Sequence, residues 1–310
     1  MLYPVQNPPV PASAPFPFSY SQFHMSIQVK LALPTGRIQN NVFKLLNDAG
    51  IEIHGGPRSY RPKLSLVDFE AKILKTQNIV EMLALGRRDV GFAGADWVKE
   101  KGADVVELLD TELDQVSIVA AAPAGFPNAE SYQGRQLIVA TEYVNIASEW
   151  VQAKGWDAKV IRSYGTTEVF PPEDADCIVD NMSSGATLRA SNLDIVDTIM
   201  TSSTRIFASR HAMEDDAIRG RIEDFVLVIK SVLSARHRVM IEVNVSKEDL
   251  ESVASIIPCM RQPTIAALHG DAGYVVKSAV LKSELPTLIP IIKQRGGTDI
   301  VVSSIANVIP

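Results

Sequence analysis

The stretch that most limits how this chain can fold lies past its middle: Asp176-Cys177-Ile178-Val179-Asp180-Asn181-Met182-Ser183-Ser184-Gly185-Ala186-Thr187-Leu188. A short apolar run between two aspartates reads as a buried strand ending at Asp180. The following residues are small and hydroxyl-bearing with one glycine, and they lead into Leu188-Arg189-Ala190, which suits a first helical turn. A strand breaking into such a loop before a helix leaves backbone N–H groups free, and a phosphate is stabilised there, with hydroxyl help from Ser183, Ser184 and Thr187. Asp176 and Asp180 are expected at the strand end as acceptors for sugar hydroxyls. Phosphate donors beside diol acceptors point to a phosphorylated ribose. In isolation these residues are better read as the cap of the next helix, and the rest of the chain has to reverse that reading.

The rest of the chain alternates. A strand at 27–33 enters the turn Pro34-Thr35-Gly36-Arg37, and a helix at 38–49 carries Val42, Leu45, Leu46 and Ala49 on one face before Gly50 stops it. That turn aims N–H groups and one guanidinium at something anionic, although Gly and Arg are common in such turns. A strand at 68–74, a helix at 79–86, a Gly-punctuated strand end at 89–94 and a helix opening at Asp96 follow, then a strand at 116–122. A second unit has a strand at 134–142, a helix at 145–155, a strand at 158–162 and the loop 163–168. This β-α-β order predicts parallel sheets with helices on both faces. Two such units in series leave a cleft at strand C-termini. Asp96, Glu168 and the hydroxyl-rich loop are all expected at such ends.

Beyond Ile206-Phe207-Ala208 a charged helix is expected at 213–230. The rhythm then changes: Val239, Ile241, Val243 and Val245 alternate with polar or flexible residues, as in a half-buried strand. A helix at 247–257, strands at 264–269 and 274–281, a helix at 284–295 and a strand at 299–303 complete a β-α-β-β-α-β order, that of a ferredoxin-like module. Pro290 inside the last helix should kink it or delay its start.

At 310 residues the chain can form two or three domains. A formal net charge of −6 argues against a nucleic-acid or anionic-membrane surface. Two cysteines, Cys177 and Cys259, are too few for a disulfide framework or a zinc cluster. Cys177 fits a small buried hydrophobe in a reducing compartment, and no apolar stretch reaches membrane-span length. Residues 1–24 hold no Lys, Arg, Asp or Glu, and six prolines fall before Phe18. They lack the marks of a signal or transit peptide and are expected to be disordered.

The loop resembles the phosphoribosyl-diphosphate loop of the ATP phosphoribosyltransferase family, D-x-I-x-D-x-x-S-T-G-x-T-L, with Ser184 in place of the threonine. Further pieces follow in the family's order: Leu33-Pro34-Thr35-Gly36-Arg37, Asp89-x-Gly91-x-x-Gly94-x-Asp96, Ala140-Thr141-Glu142-Tyr143, Gly165-Thr166-Thr167-Glu168-Val169 and Pro263-Thr264-Ile265. The similarity runs from about 27 to 309 and is to the long form of the family. It implies an α/β fold with a two-domain catalytic part like a type II periplasmic-binding protein and a C-terminal ferredoxin-like regulatory domain. The expected divisions are an extension at 1–24, a discontinuous first catalytic domain at 25–122 and 204–222, a second at 123–203 and a regulatory domain at 223–310.

The resemblance also implies a cytoplasmic enzyme that joins adenine N1 of ATP to C1 of 5-phosphoribosyl 1-diphosphate, releases pyrophosphate, uses Mg²⁺ and is inhibited by histidine. Members of the long form are homo-oligomers, hexamers shifting with dimers. On this basis Ser183, Ser184, Gly185, Ala186 and Thr187 take the 5′-phosphate, Asp176 and Asp180 the ribose hydroxyls, and Arg37 phosphate charge at the cleft. Glu168 orients ribose or adenine, with an ion pair as its other reading. Gly36, Arg37, Lys75, Asp96 and Glu142 fall on the nucleotide side, Asp96 with a helix N-cap as its other reading. Asn244 and Thr264 line the histidine site. Mg²⁺ is expected on the substrate's diphosphate, without a protein ligand cluster. Lys75 and Ser117 depart from the family's usual basic pattern, Lys75 lacking the planar fork of arginine. They keep a non-catalytic regulatory paralogue in view as one alternative. A two-domain solute-binding protein is the other.

Overall fold

The computed structural model describes residues 27–55, 59–126 and 135–309. The N-terminal extension at 1–24 and the expected strand start at Gly134 lie outside the described residues. The chain opens with β1 (Val29–Pro34) and α1 (Gln39–Asp48), then the short β2 (Ile53–His54) and β3 (Lys63–Leu64), β4 (Phe69–Leu74), α2 (Thr76–Ala84), β5 (Val90–Gly94), α3 (Ala95–Lys101) and β6 (Val105–Pro123). It continues through β7 (Leu137–Thr141), α4 (Val144–Lys154), β8 (Ala158–Arg162), β9 (Cys177–Met182), α5 (Ala186–Ala190) and β10 (Leu193–Ser209). Two helices follow, α6 (Arg210–Glu214) and α7 (Asp216–Arg236).

Eight of these strands make one sheet in the order β4-β1-β5-β10-β6-β9-β7-β8. From either edge the order is second, first, third strand of that half: β4-β1-β5 at one side and β8-β7-β9 at the other, parallel within each half. Two long antiparallel strands, β6 and β10, run between the halves and join both. This is the expected two-lobed arrangement. The inner strands β5 and β7 are almost wholly apolar and buried, as strands covered on both faces are, whereas β4 and β8 at the two edges carry charged residues. One core gathers Val29, Leu31, Val90 and Phe92 with helix α7, and another gathers Val139, Cys177, Val179 and Trp150. Burial pushes the Cys177 thiol up to about 12, which leaves it a small buried hydrophobe as expected.

The C-terminal module comprises β11 (Arg238–Val245), α8 (Leu250–Ala254), β12 (Thr264–Ala267), β13 (Tyr274–Leu281), α9 (Leu285–Gln294) and β14 (Thr298–Ser304). Its antiparallel sheet runs β12-β13-β11-β14, the ferredoxin-like order. Val239, Ile241, Val243 and Val245 face α8 and α9, and Pro290 is accommodated within α9.

Several expected boundaries move. β6 begins eleven residues before 116, and β10 was not foreseen as a strand at all. Both carry hydroxyls and charges within their length, at 114–117 of β6 and 201–205 of β10, where they border cavities, and this weakens the apolar pattern. The helix expected at 213–230 is two helices, the second N-capped by Asp215, which accepts from Ala217 and Ile218 N–H. The expected domain edge at 222 falls inside α7, whose Ile222, Phe225, Ile229 and Val232 pack into the first half's core. The helix expected at 247–257 shortens to α8.

Candidate active site

The hydroxyl-rich loop forms where β9 ends. Gly185 sits at φ +70° as the N-cap of α5, a conformation that glycine adopts without strain. A cavity of about 260 Å³ opens there. Ser183, Ser184, Gly185, Ala186 and Thr187 line it together with Asp180 and Glu168. Arg37 reaches in from the β1–α1 turn of the opposite half of the sheet. The exposed loop hydroxyls and the Arg37 guanidinium thus face one volume. Among the described residues, that guanidinium forms no ion pair or hydrogen bond.

Arg37 also lines a second cavity of about 170 Å³ lying between the halves. Asp96 and Glu142 border it, as do Thr76, Gln77 and Asp114, which sequence reasoning missed. Tyr143 donates its phenolic hydrogen to Asp96 Oδ2 at 2.8 Å, and the Ser202 hydroxyl donates to Asp96 Oδ1 at 2.8 Å. Asn181 Nδ2 donates to the Tyr143 hydroxyl at 3.3 Å. Burial and the adjacent Asp96 carboxylate raise the Tyr143 phenol, so it remains a neutral donor. Tyr143 belongs to a motif already read in the sequence. Ser202 had no local signal, because its strand was not recognised.

Asp180 is pushed up to about 6, first by burial and then by the nearby carboxylates Glu142 and Glu168, while the Asn181 N–H, donating to Asp180 Oδ1 at 2.7 Å, pulls it back. Glu168 is brought to the cavity by a turn whose Thr166 has φ +48° and whose Thr167 hydroxyl lies 2.8 Å from that of Ser163. The ion-pair reading of Glu168 has no partner among the described residues.

Other expectations are corrected. Asp176 does not stand beside Asp180: it precedes β9, and the two lie four steps apart along extended backbone, roughly 13 Å. Its carboxylate accepts from both terminal Nη groups of Arg135 and from the Ile138 N–H at 2.8 Å. Arg135 keeps it below the usual carboxylate range. Asp96 is not an N-cap: Gly94 holds that position, and Asp96 is the second residue of α3. Lys75 is exposed at the N-cap of α2 and does not border the cavity, whereas Thr76 and Gln77 do. Gly36, at φ +82°, shapes the turn that presents Arg37. Asn244 and Thr264 share a sheet face but stand either side of β13 and two residues out of level, roughly 12 Å apart. Asn244 Nδ2 donates to Asp299 Oδ2 at 3.1 Å. Among the described residues no three His, Cys, Asp or Glu side chains are grouped to hold a metal ion, and no helix is long and apolar enough to cross a membrane.

The loop can donate to a phosphate, Asp180 and Glu168 can accept from hydroxyls, and Arg37 and Asn181 line both this cavity and the second one between the halves. Such a division of labour belongs to glycosyltransferases that act on phosphorylated ribose, the phosphoribosyltransferases. The profile described as HisG, ATP phosphoribosyltransferase, matches residues 75–231, and that of the HisG C-terminal domain matches 235–307. An ATP phosphoribosyltransferase of Chlorobium luteolum is 36% identical over 279 residues, covering 88% of this chain and 94% of that one. One from Koribacter versatilis is 32% identical, covering 89% and 97%. Among solved structures, the ATP phosphoribosyl transferase (HisG:HisZ) complex from Thermotoga maritima is similar at a TM-score of 0.60 and 24% identity, covering 67% of this chain and 99% of that one. This chain belongs to the ATP phosphoribosyltransferase family, in its long form with the C-terminal module.

Proposed function

We propose that the chain transfers the phosphoribosyl group of 5-phosphoribosyl 1-diphosphate to adenine N1 of ATP, giving N1-(5-phosphoribosyl)-ATP and pyrophosphate. The observation that carries this assignment to the described cleft is Arg37. From one half of the sheet it lines both the loop cavity and the cavity between the halves, so one guanidinium can neutralise charge where two phosphorylated substrates meet. The 5′-phosphate is assigned to Ser183, Ser184, Gly185, Ala186 and Thr187, the ribose hydroxyls to Asp180 with Glu168, and the nucleotide to the cavity bordered by Asp96, Glu142 and Tyr143.

Displacement at C1 develops positive character on the ribose and negative charge on the departing diphosphate. Ionised Asp180 and Glu168 stabilise the first, and Arg37 the second. Holding the adenine in line removes much of the entropic barrier. Carboxylates of this kind suit a hydrated Mg²⁺ carried on the diphosphate, where the ion neutralises charge. The reading extends to a cytoplasmic homo-oligomer inhibited by histidine through the C-terminal module. Its domain division places that module from 238, after α7. The test mixes protein, ATP, phosphoribosyl diphosphate, Mg²⁺ and pyrophosphatase and follows the ultraviolet change of N1-substituted adenine, with and without histidine. Absence of that change with intact protein overturns the transfer, and a change insensitive to histidine overturns the effector role alone.

A further inference from the structure

Helix α4 follows directly on two cleft residues, Glu142 and Tyr143, and it has no cap of its own. Its N-cap residue is Tyr143, and no side chain at that position satisfies the first N–H groups. Helix N-termini leave such donors unpaired unless something is supplied. Here the supplier is Glu100 on α3, from the other half of the sheet. Its carboxylate is 2% exposed. It accepts from Asn145 N–H at 2.9 Å and from Ile146 N–H at 3.1 Å, while Asn145 Nδ2 donates back to the Glu100 carbonyl at 2.7 Å.

The arrangement extends to the cleft. Asp96 and Glu100 lie four residues apart on α3 and therefore on one face. Asp96 takes the Tyr143 hydroxyl, and Glu100 takes the backbone just beyond it. The Trp97 ring lies 4.8 Å from that of Tyr143. Arg162 donates to the Glu142 carbonyl at 3.3 Å and stands 4.0 Å from Glu100 Oε1. Tyr143, Asn145 and Ile146 are thus gripped by a single turn of α3, and Glu142 is held by Arg162, which stands beside Glu100. A negative charge at the helix N-terminus adds favourable interaction with the α4 dipole.

We propose that Glu100 is a positioning residue: by capping α4 from α3, it fixes Glu142 and Tyr143 against the nucleotide cavity and sets how the two halves of the cleft meet. This rests on the transfer reading above. Glu100 touches no substrate in this scheme. It acts through the backbone it holds.

The test compares wild type with Glu100→Gln, which keeps the shape and one acceptor but loses the charge, and with Glu100→Asp, which keeps the charge on a shorter arm. Amide hydrogen exchange at Asn145 and Ile146 should rise about tenfold in the glutamine variant. The KM for ATP should rise about tenfold, that for phosphoribosyl diphosphate should stay within about twofold, and the aspartate variant should recover part of both effects. If the glutamine variant does not fold, the aspartate variant carries the same comparison. Unchanged exchange overturns the proposal. A lowered melting temperature with both KM values unmoved reduces Glu100 to a structural cap and also overturns it. A wild-type protein without transferase activity overturns the functional reading and the kinetic half of the proposal, and the exchange data then decide the capping half by themselves.

Discussion

Tyr143 and Asp96 meet across the cleft: the phenolic hydroxyl of one half of the sheet donates at 2.8 Å to a carboxylate that is 6% exposed on the other. Tyr143→Phe leaves that buried Oδ2 without its donor. The expected loss is about 1–3 kcal/mol of stability, measured by urea denaturation, together with a raised KM for ATP. A variant as stable as wild type would show that the contact contributes nothing.

Arg37 is the opposite case, a guanidinium with a cleft to serve and no partner among the described residues. Arg37→Ala should lower kcat/KM by about 100-fold, the size expected for losing one preorganised charge at a leaving group. The melting temperature should hardly move. Steady-state kinetics beside a thermal melt distinguish this from a folding defect.

Asp180 carries a pH signature. The unfolded carboxyl titrates near 3.9 and the folded one near 6. Between those pH values the folded chain holds a proton that the unfolded chain has lost, so this group's contribution falls as pH rises from about 4 to about 6. Asp180→Asn should therefore be more stable than wild type by about 1–3 kcal/mol at pH 7.5 and equal to it below pH 4. It should also lose transfer activity. Denaturation midpoints across this range, taken with the assay, test both halves.

Asp176 should behave differently although it lies in the same motif. Held by Arg135, it is below the usual carboxylate range, so it stabilises above about pH 4 and that contribution disappears as pH falls through its folded value. Asp176→Asn should lower the melting temperature at pH 7 and converge with wild type in acid. The KM for phosphoribosyl diphosphate should stay within about twofold. A large rise in that KM would return Asp176 to the ribose.

Gly185 turns the loop at φ +70°, and a Cβ there would come within 3.0 Å of an Arg189 Nη atom and 3.2 Å of Met182 Sδ. Gly185→Ala should cost about 1–2 kcal/mol through left-handed strain and displace the hydroxyls lining the cavity. Isothermal titration with phosphoribosyl diphosphate should show binding weakened about tenfold, whereas binding at wild-type strength would separate the loop's shape from its use.

Much of this was legible in residue order because it is local. The hydroxyl-rich loop, the Gly36 turn that presents Arg37 and the alternating Val239, Ile241, Val243 and Val245 each depend on neighbours a few residues away. What was misread depended on distance along a strand or across the fold. Asp176 and Asp180 look equivalent in sequence, yet the rise of extended backbone sets them roughly 13 Å apart, one before β9 and one within it. Asp96 looks like a cap until its partners Tyr143 and Ser202 arrive from 47 and 106 residues away.

By itself, then, the sequence determined the α/β rhythm, the ferredoxin-like module, the loop and, through its motifs, the family. Backbone propensity and apolar periodicity act over a turn or a strand, and these features need no more than that. Only the tertiary structure decided that β6 and β10 would link the two halves, that Arg37 would face the loop, and that Glu100 would cap a helix it precedes by some 45 residues. Those pairings are chosen when buried donors and acceptors must all be satisfied together, a condition that no local stretch of chain can express.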